Sequence, residues 1–209
     1  MDGPRIAPLP LDRWDDSVMD ALETGRSSLL SDDLQAALDS RDPRRLAEVL
    51  PNAVTTLLYS PDVAGPWLQF NGALLRNLSL APRLRELLVL RVAWLTRSRY
   101  EWLQHVRMAP RYGIEEAEVE RIATDDAPGP WDPLEADLLG AAGQMLTCHC
   151  VDGATWSRLA DRLDERSLVE LPFVVGAYAT LATAFNTLAI QPDPQYRSVN
   201  APAFPEREV

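Results

Sequence analysis

The stretch of sequence that decides the fold is Arg83–Gly113, which reads RLRELLVLRVAWLTRSRYEWLQHVRMAPRYG. From Leu87 to Leu95 every residue except Arg91 is apolar, which predicts a helix buried on all sides. The four residues from Ser98 to Glu101 then match the S-x-x-E pattern of a capping box at the start of a second helix. The stretch therefore predicts two helices that meet at a short turn.

Outward from this stretch, apolar residues recur at helical spacing along most of the chain. Prolines and glycines separate the apolar segments, and no segment shows the sustained alternation that is typical of a β-strand. The sequence therefore predicts an all-α fold of roughly eight to ten helices. The expected helices lie at about 13–24, 31–39, 43–58, 62–78, 82–96, 98–109, 115–123, 132–147, 152–163 and 166–189.

The two ends of the chain differ in composition from the middle. Residues 1–12 are interrupted by prolines and predict an extended N-terminal arm. Residues 192–209 contain four prolines and predict an irregular tail that wraps a neighbouring subunit or is disordered. The segment between them, 13–191, is expected to form one domain, whose core can lie in two helical halves.

The composition excludes several classes of function. A formal net charge of −11 disfavours nucleic acid and anionic membrane surfaces as partners, because like charges repel. No apolar run reaches the roughly 18–20 residues of a membrane span, and no signal peptide is expected. All 20 basic residues are arginine, which excludes Schiff-base chemistry and a pyridoxal phosphate cofactor. The two cysteines cannot make a disulfide framework, so we expect a cytoplasmic protein.

The candidate catalytic residues are Glu86, Glu101 and His105. Glu101 and His105 are four residues apart and share one face of a helix, where a carboxylate and an imidazole can move protons near neutral pH. The same position near a helix start favours an ionised Glu101, which would orient the ring of His105. A purely structural interpretation also fits, in which Ser98 caps the helix and Glu101 bonds back to its amide. For Glu86, structural and catalytic roles fit equally.

The candidate substrate-binding residues are Ser98, Tyr100 and Arg91. Arg91 lies in the apolar helix and needs a partner there, either an ion pair or a substrate carboxylate. Tyr100, and also Tyr178 further along the chain, can donate a hydrogen bond to a developing oxyanion. No metal ligand set is predicted.

The tripeptide Cys148-His149-Cys150 stands apart from these candidates. Its spacing is poor for zinc, which usually takes cysteines separated by two to four residues, and poor for a disulfide across one residue. We expect two semi-buried cysteines that close a helix. A metal or redox role and a contribution of His149 to the site are the alternatives.

The residues RVAWLTRSRYEWLQHVRMAPRYGI, with the preceding LRELLVL, resemble the carboxymuconolactone decarboxylase family, which shares its fold with AhpD-type alkylhydroperoxidases. The resemblance extends to RIAPLPLDRWDDSV near the start and to DGATWSRLADRLDERSLVELPFVVGAYATLATAFNTLAI near the end. The resemblance covers about residues 4–192, and over this range the chain is similar to the longer members with a YEW-x-x-H motif. This resemblance implies an all-α, AhpD-like homo-oligomer.

The peroxidase branch of that family has a glutamate, a C-x-x-C pair and a histidine. Glu86 and His105 match the acid and the histidine, whereas Ser98 and Glu101 stand at the two cysteine positions. Thiol peroxidase chemistry needs a thiolate nucleophile and a resolving thiol, so it is disfavoured here. The branch without cysteines implies cofactor-independent proton transfer on small acids or lactones, and some relatives resemble tailoring enzymes of natural-product pathways.

Two classes of function therefore follow from the sequence. The first is a cofactor-independent acid–base enzyme, a decarboxylase-like lyase or a related dehydratase, isomerase or cyclase, that acts on a small oxygenated acid, lactone or natural-product intermediate. In it His105 carries the proton, Glu101 orients His105, and Glu86 is a second proton carrier. The second is a non-catalytic oligomeric binding or scaffold protein of the same fold. A solvent-reachable pocket that contains His105 would favour the enzyme.

Overall fold

A computed structural model describes residues 3–29, 31–124, 126–127 and 129–205 of the chain. Over these residues the backbone forms eleven α-helices and no β-strand, which confirms the predicted all-α fold. The helices are α1 (Asp16–Thr24), α2 (Asp32–Ser40), α3 (Pro43–Val49), α4 (Asn52–Leu57), α5 (Pro61–Arg76), α6 (Pro82–Leu95), α7 (Arg99–Met108), α8 (Glu116–Ile122), α9 (Pro133–Cys148), α10 (Gly153–Ala160) and α11 (Glu165–Leu188).

The one predicted helix that divides is the segment 43–58. It forms α3 and α4, which are separated by Leu50 in an extended conformation (φ −72°, ψ 137°) before Pro51. Proline disfavours helical geometry in the residue before it, so the break follows from the sequence. Several other helices begin at side-chain caps; for example, Asp152 accepts a hydrogen bond from the amide of Thr155 at 2.8 Å.

The chain divides into two compact units. The first comprises Met1–Leu78 with Leu188–Asp193, and the second comprises Ser79–Thr187 with Pro194–Val209. This division does not test the prediction of a single domain over 13–191, which stays a prediction. In the first unit the arm lies against its own chain: Leu9 is buried, and its amide donates to the carbonyl of Thr55 at 3.1 Å.

The second unit is built on helix α6, in which every residue from Arg85 to Trp94 is buried. This confirms the prediction of a helix surrounded by protein. The described tail also belongs to this core, because Phe204 stacks on Trp94 with ring centroids 4.9 Å apart. Trp102 Nε1 donates to the carbonyl oxygen of Pro202 at 2.9 Å. Residues 201–205 therefore pack against the core of their own unit, the predicted contact of the tail with a neighbouring subunit stays a prediction, and residues 206–209 lie outside the described part of the chain.

Helix α11 alone among the described helices has the length and composition of a membrane span. It has 24 residues, and its most apolar window has a mean hydropathy of 1.6 with half of the window buried. The apolar stretch is therefore longer than the sequence analysis allowed. One such helix is weak evidence for a membrane, since core helices of water-soluble proteins have the same properties.

Candidate active site

The candidate site is built on a hairpin of helices α6 and α7. Helix α6 ends when Arg97 adopts a left-handed conformation (φ 52°) and the amide of Ser98 donates to the carbonyl of Ala93 at 2.9 Å. The chain reverses over Thr96–Ser98, and α7 begins at Arg99. This short reversal packs α7 against α6 and brings side chains from the two helices together.

The centre of the site is a contact between His105 on α7 and Glu86 on α6. His105 Nδ1 lies 2.7 Å from Glu86 Oε1, and the two residues are only 6% and 1% exposed. A carboxylate oxygen only accepts hydrogen bonds, so Nδ1 carries the hydrogen and Nε2 is the nitrogen available for proton transfer. The sequence favours Glu101 as the residue that orients His105, whereas the structure shows this hydrogen bond with Glu86.

The groups around His105 shift its pKa in opposite directions. Burial alone would lower the pKa of His105, because it disfavours the charged imidazolium, but the negative charge and hydrogen bond of Glu86 raise the pKa on balance. Glu101 adds to the rise, and Arg85 opposes it. The Glu86–His105 pair is therefore arranged to hold a proton on the imidazole.

The predicted capping box at the start of α7 is wrong. Ser98 makes no capping hydrogen bond, and its Oγ is buried without a partner among the described residues. Both carboxyl oxygens of Glu101 are likewise buried, and no described residue bonds to them. The reason is that the Ser98 amide is already used to close α6, through its bond to Ala93, so Glu101 has no amide to reach back to.

The protonation of Glu101 also differs from the expectation. Burial raises the pKa of Glu101 from 4.5 to about 7, although the nearby Ser98 hydroxyl and the charge of His105 act to lower it. The helix start does not keep this carboxyl ionised, because the loss of water outweighs the helix dipole. Near neutral pH, Glu101 is therefore poised to gain or lose a proton.

Two tyrosines were candidates for a hydrogen bond to the substrate. Tyr178 on α11 contacts His105 edge-on, with ring centroids 5.4 Å apart, and burial followed by the charges of Glu86 and Glu101 raises its pKa. Tyr178 therefore keeps its phenolic proton at the site. The ring of Tyr100 instead packs edge-on against Phe185 at 5.1 Å, and its substrate-binding role stays a prediction.

Helix α6 contains three arginines, of which Arg85 and Arg91 are buried. Arg91 donates to the carbonyl oxygens of Ile122 (3.2 Å) and Thr124 (2.6 Å), where it neutralises the negative end of helix α8. These bonds give Arg91 a structural role, and a substrate carboxylate stays a prediction for it. Arg85 was not a candidate, yet it is buried and its charge lowers the pKa of both His105 and Tyr178. The sequence could have indicated Arg85, because it is a further arginine in a mostly apolar helix.

The tripeptide Cys148-His149-Cys150 lies at the end of α9. All three residues are exposed, so the expectation of semi-buried cysteines is wrong, and neither thiol belongs to the buried site. Cys148 is the last residue of α9, as predicted. Over the described ranges, no three histidine, cysteine or acidic side chains are grouped to hold a metal ion.

A cavity of about 550 Å³ lies beside α7, on a different face from His105. Its walls are mainly apolar and come from α7, α8 and the tail, with Val106, Val119 and Pro202 among them. Glu86, Glu101 and His105 do not line it. The three site residues are each buried, and this cavity is therefore not the solvent-reachable pocket around His105 that would favour an enzyme.

Comparisons with known proteins agree with this fold. Residues 61–144 match the model of the carboxymuconolactone decarboxylase family, and this segment contains Glu86, Glu101 and His105. Together with the AhpD-like fold of the structures below, this match confirms the resemblance to the carboxymuconolactone decarboxylase family over residues 61–144. A comparison with curated proteins gave no match.

Several crystal structures share the fold at low sequence identity. An AhpD-core, peroxidase-related protein from Ralstonia eutropha JMP134 has a TM-score of 0.69 and 18% identity, over 91% of this chain and 94% of that chain. A peroxidase-related protein from Silicibacter sp. TM1040 has a TM-score of 0.70 and 14% identity, over 95% and 97%. The debrominase Bmp8 in complex with 2,3,4-tribromopyrrole has a TM-score of 0.68 and 14% identity, over 95% and 96%.

Proposed function

We propose that this chain is a cofactor-independent acid–base enzyme that acts on a small oxygenated acid, lactone or natural-product intermediate. The reaction is a decarboxylase-like lyase reaction, or a related dehydration, isomerisation or cyclisation. The observation that carries the proposal is the buried contact of 2.7 Å between His105 Nδ1 and Glu86 Oε1. A histidine fixed through one nitrogen by a carboxylate is a common way to orient a general base or acid.

The geometry supports a two-carrier scheme. Glu86 fixes the ring of His105 through Nδ1, so Nε2 is the atom that exchanges a proton with the substrate. Glu101, whose pKa lies at about 7, is the second group that can change its protonation near neutral pH. An acid and a base in one low-dielectric cluster can act on both ends of a substrate that passes through an enolate.

The comparisons support a small-molecule function without naming the substrate. The debrominase of the same fold was crystallised with 2,3,4-tribromopyrrole, a small ring compound. The peroxidase-related neighbours suggest thiol chemistry, but both cysteines of this chain are exposed and outside the buried cluster. Acid–base chemistry therefore suits this site better than a thiol peroxidase. A cytoplasmic location and self-association belong to the same proposal.

The second candidate is a non-catalytic oligomeric binding or scaffold protein. The burial of His105, Glu86 and Glu101 favours it, because a substrate must enter a cluster that is at most 6% exposed. In that case the Glu86–His105 pair would serve as a buried structural link between α6 and α7. The two candidates differ in whether a protein without His105 loses a chemical activity or only stability.

The experiment is a screen of β-keto acids, unsaturated lactone acids and related carbonyl compounds in deuterated buffer. Release of CO2 and uptake of deuterium into carbon are followed by mass spectrometry. The test variant is His105→Asn, which keeps a nitrogen donor for Glu86, and the matched control is His149→Asn at the exposed second histidine. Activity in the wild type and the control but not in His105→Asn supports the enzyme. Equal activity in all three proteins overturns the role of His105, and no activity in any of them favours the binding protein.

A further inference from the structure

Three buried oxygen atoms at the start of α7 have no hydrogen-bond partner among the described residues. They are Oγ of Ser98 and both carboxyl oxygens of Glu101, and the two residues are 0% and 1% exposed. Native structures satisfy the great majority of buried polar atoms, so each exception needs an explanation. Three such atoms within one turn of helix, beside His105, indicate a site that can bind the polar groups of a ligand.

The same burial determines the chemical form of Glu101. Burial favours the neutral carboxylic acid over the ionised carboxylate, and this loss of water outweighs the opposite influence of the nearby Ser98 hydroxyl. Below a pH of about 7, Glu101 is therefore mainly the neutral acid, with an O–H group that can be donated. Ser98 supplies a second hydroxyl from the residue before α7. The pair thus offers two hydroxyl donors and no fixed positive charge.

We propose that Ser98 and Glu101 form a subsite for a carbonyl oxygen of the substrate, in which Glu101 gives its proton to that oxygen while His105 acts on the neighbouring carbon. This inference rests on the proposed function and specifies its substrate class. The substrate is a carbonyl compound with either an acidic α-carbon or a carboxylate β to the carbonyl. The arginine that could have bound a carboxylate directly, Arg91, donates to the carbonyls of Ile122 and Thr124.

The proton-transfer step balances without any co-reactant. Nε2 of His105 takes the proton of the α-carbon, and the electron pair of that C–H bond becomes the new carbon–carbon double bond. The π electrons of the carbonyl move to its oxygen, which takes the proton of Glu101. The product is an enol, with His105 as imidazolium held by Glu86 and Glu101 as carboxylate. In the decarboxylating version the bond to the carboxylate carbon breaks, CO2 leaves, and the same oxygen takes the proton of Glu101.

Binding of 4-nitrophenol, whose phenolate oxygen resembles an enolate oxygen, tests the subsite without any turnover. The absorbance change of the phenolate on titration with wild-type protein gives Kd. We expect Glu101→Leu and Ser98→Ala to raise Kd roughly tenfold or more, since each removes a donor to a charged oxygen. Glu101→Gln retains an N–H donor and should bind within about threefold of wild type. The matched control is Glu48→Gln, at an exposed glutamate of α3.

The outcomes separate this inference from the proposed function. No binding by wild type, or unchanged binding by both Glu101→Leu and Ser98→Ala, overturns the subsite. With a substrate from the screen, Glu101→Gln should keep KM and lower kcat about 10²–10⁴-fold, because an amide binds the carbonyl but has no acidic proton. A wild-type kcat in Glu101→Gln together with an inactive His105→Asn overturns the subsite and leaves the proposed function standing. Far-UV circular dichroism confirms that each variant is folded.

Discussion

His105 Nδ1 and Glu86 Oε1 lie 2.7 Å apart in the buried interior of one compact unit, although the two residues are 19 positions apart in the sequence. The contact joins the helix that forms the core to the helix that carries the YEW-x-x-H motif. Charges interact strongly where water is excluded. The pair therefore has a large influence both on the stability of the protein and on the proton affinity of the imidazole.

The pKa of His105 should fall when Glu86 is changed to glutamine. Glu86 is the largest of the influences that raise this pKa, and an amide in its place would keep the shape but lose the charge. Glu101→Gln should lower the pKa in the same direction and by less, since Glu101 contributes only through its charge. The measurement is an NMR titration of the imidazole protons. The protein has two histidines, so the resonance of exposed His149 serves as an internal control. A pKa of His105 that is equal in wild type and Glu86→Gln would contradict the contact.

The stability of the protein should fall as pH rises from about 4.5 to about 7, in part because of Glu101. Burial raises the pKa of Glu101 to about 7, so over this range the unfolded chain loses the proton while the folded chain keeps it. The contribution of neutral Glu101 to the stability of the protein is fully present below pH 4.5. It is lost as the pH rises to the folded pKa of about 7. Glu101→Gln should remove this loss, which amounts to about 3 kcal/mol at full extent.

Urea denaturation of wild type and Glu101→Gln at pH 4.5 and pH 8 measures this difference. His105 also makes the protein less stable at higher pH, because its pKa in the folded protein is raised above 6.5. The stability that the charged imidazolium contributes is lost as the pH rises through this folded pKa. The comparison of the two proteins cancels most of that contribution, because both contain His105. An equal dependence on pH in the two proteins would show that Glu101 is ionised when folded.

The fold could be predicted from the sequence because the helices follow local rules. The apolar run of α6 is buried from Arg85 to Trp94, and the proline at position 51 divides the predicted helix 43–58. The partner of His105 could not be predicted in the same way. Helical spacing shows that Glu101 and His105 share a face of one helix, but it does not show how two helices dock. The orienting role was therefore expected of the nearer acid, Glu101, instead of Glu86.

The capping box failed for a related reason. The S-x-x-E pattern assumes that the amide of Ser98 needs a partner, but the reversal after α6 supplies one through the carbonyl of Ala93. The pattern describes one helix end in isolation, whereas here two helix ends share one short reversal. Arg91 is similar: its main-chain partners at Ile122 and Thr124 lie 31 and 33 positions further along the chain.

Peroxidase activity with thiol reductants should be absent. Ser98 and Glu101 stand where the peroxidase branch has its thiols, and Cys148 and Cys150 are exposed outside the buried cluster. Peroxide consumption in the presence of dithiothreitol should equal the rate without protein, in wild type and in the Cys148→Ser, Cys150→Ser double variant alike. Rapid peroxide consumption by wild type that is lost in the double variant would contradict this prediction.

The protein should be a homo-oligomer whose interface covers helix α11. The described arm and tail make contacts within the chain's own units, and a role for them at the interface stays a prediction. The large apolar side chains Val169 and Phe173 are instead exposed by 61% and 54% on one face of α11. Phe173→Asp should therefore reduce the mass measured by light scattering at micromolar concentration. The matched control is Phe70→Asp on α5, a side chain that is less exposed (37%). A monomeric wild type would refute the prediction.

The central claim is that His105, held by Glu86, transfers a proton in catalysis. His105→Ala is a poor probe, because it would leave Glu86 buried without a partner and would destabilise the protein. His105→Asn keeps a donor for Glu86 and removes the nitrogen that exchanges the proton. With a substrate from the screen, we predict that kcat of His105→Asn is about 10²–10⁴-fold below wild type, while its circular dichroism spectrum and oligomer mass are unchanged. A wild-type kcat in a folded His105→Asn protein would contradict the claim and leave the Glu86–His105 contact with a structural role alone.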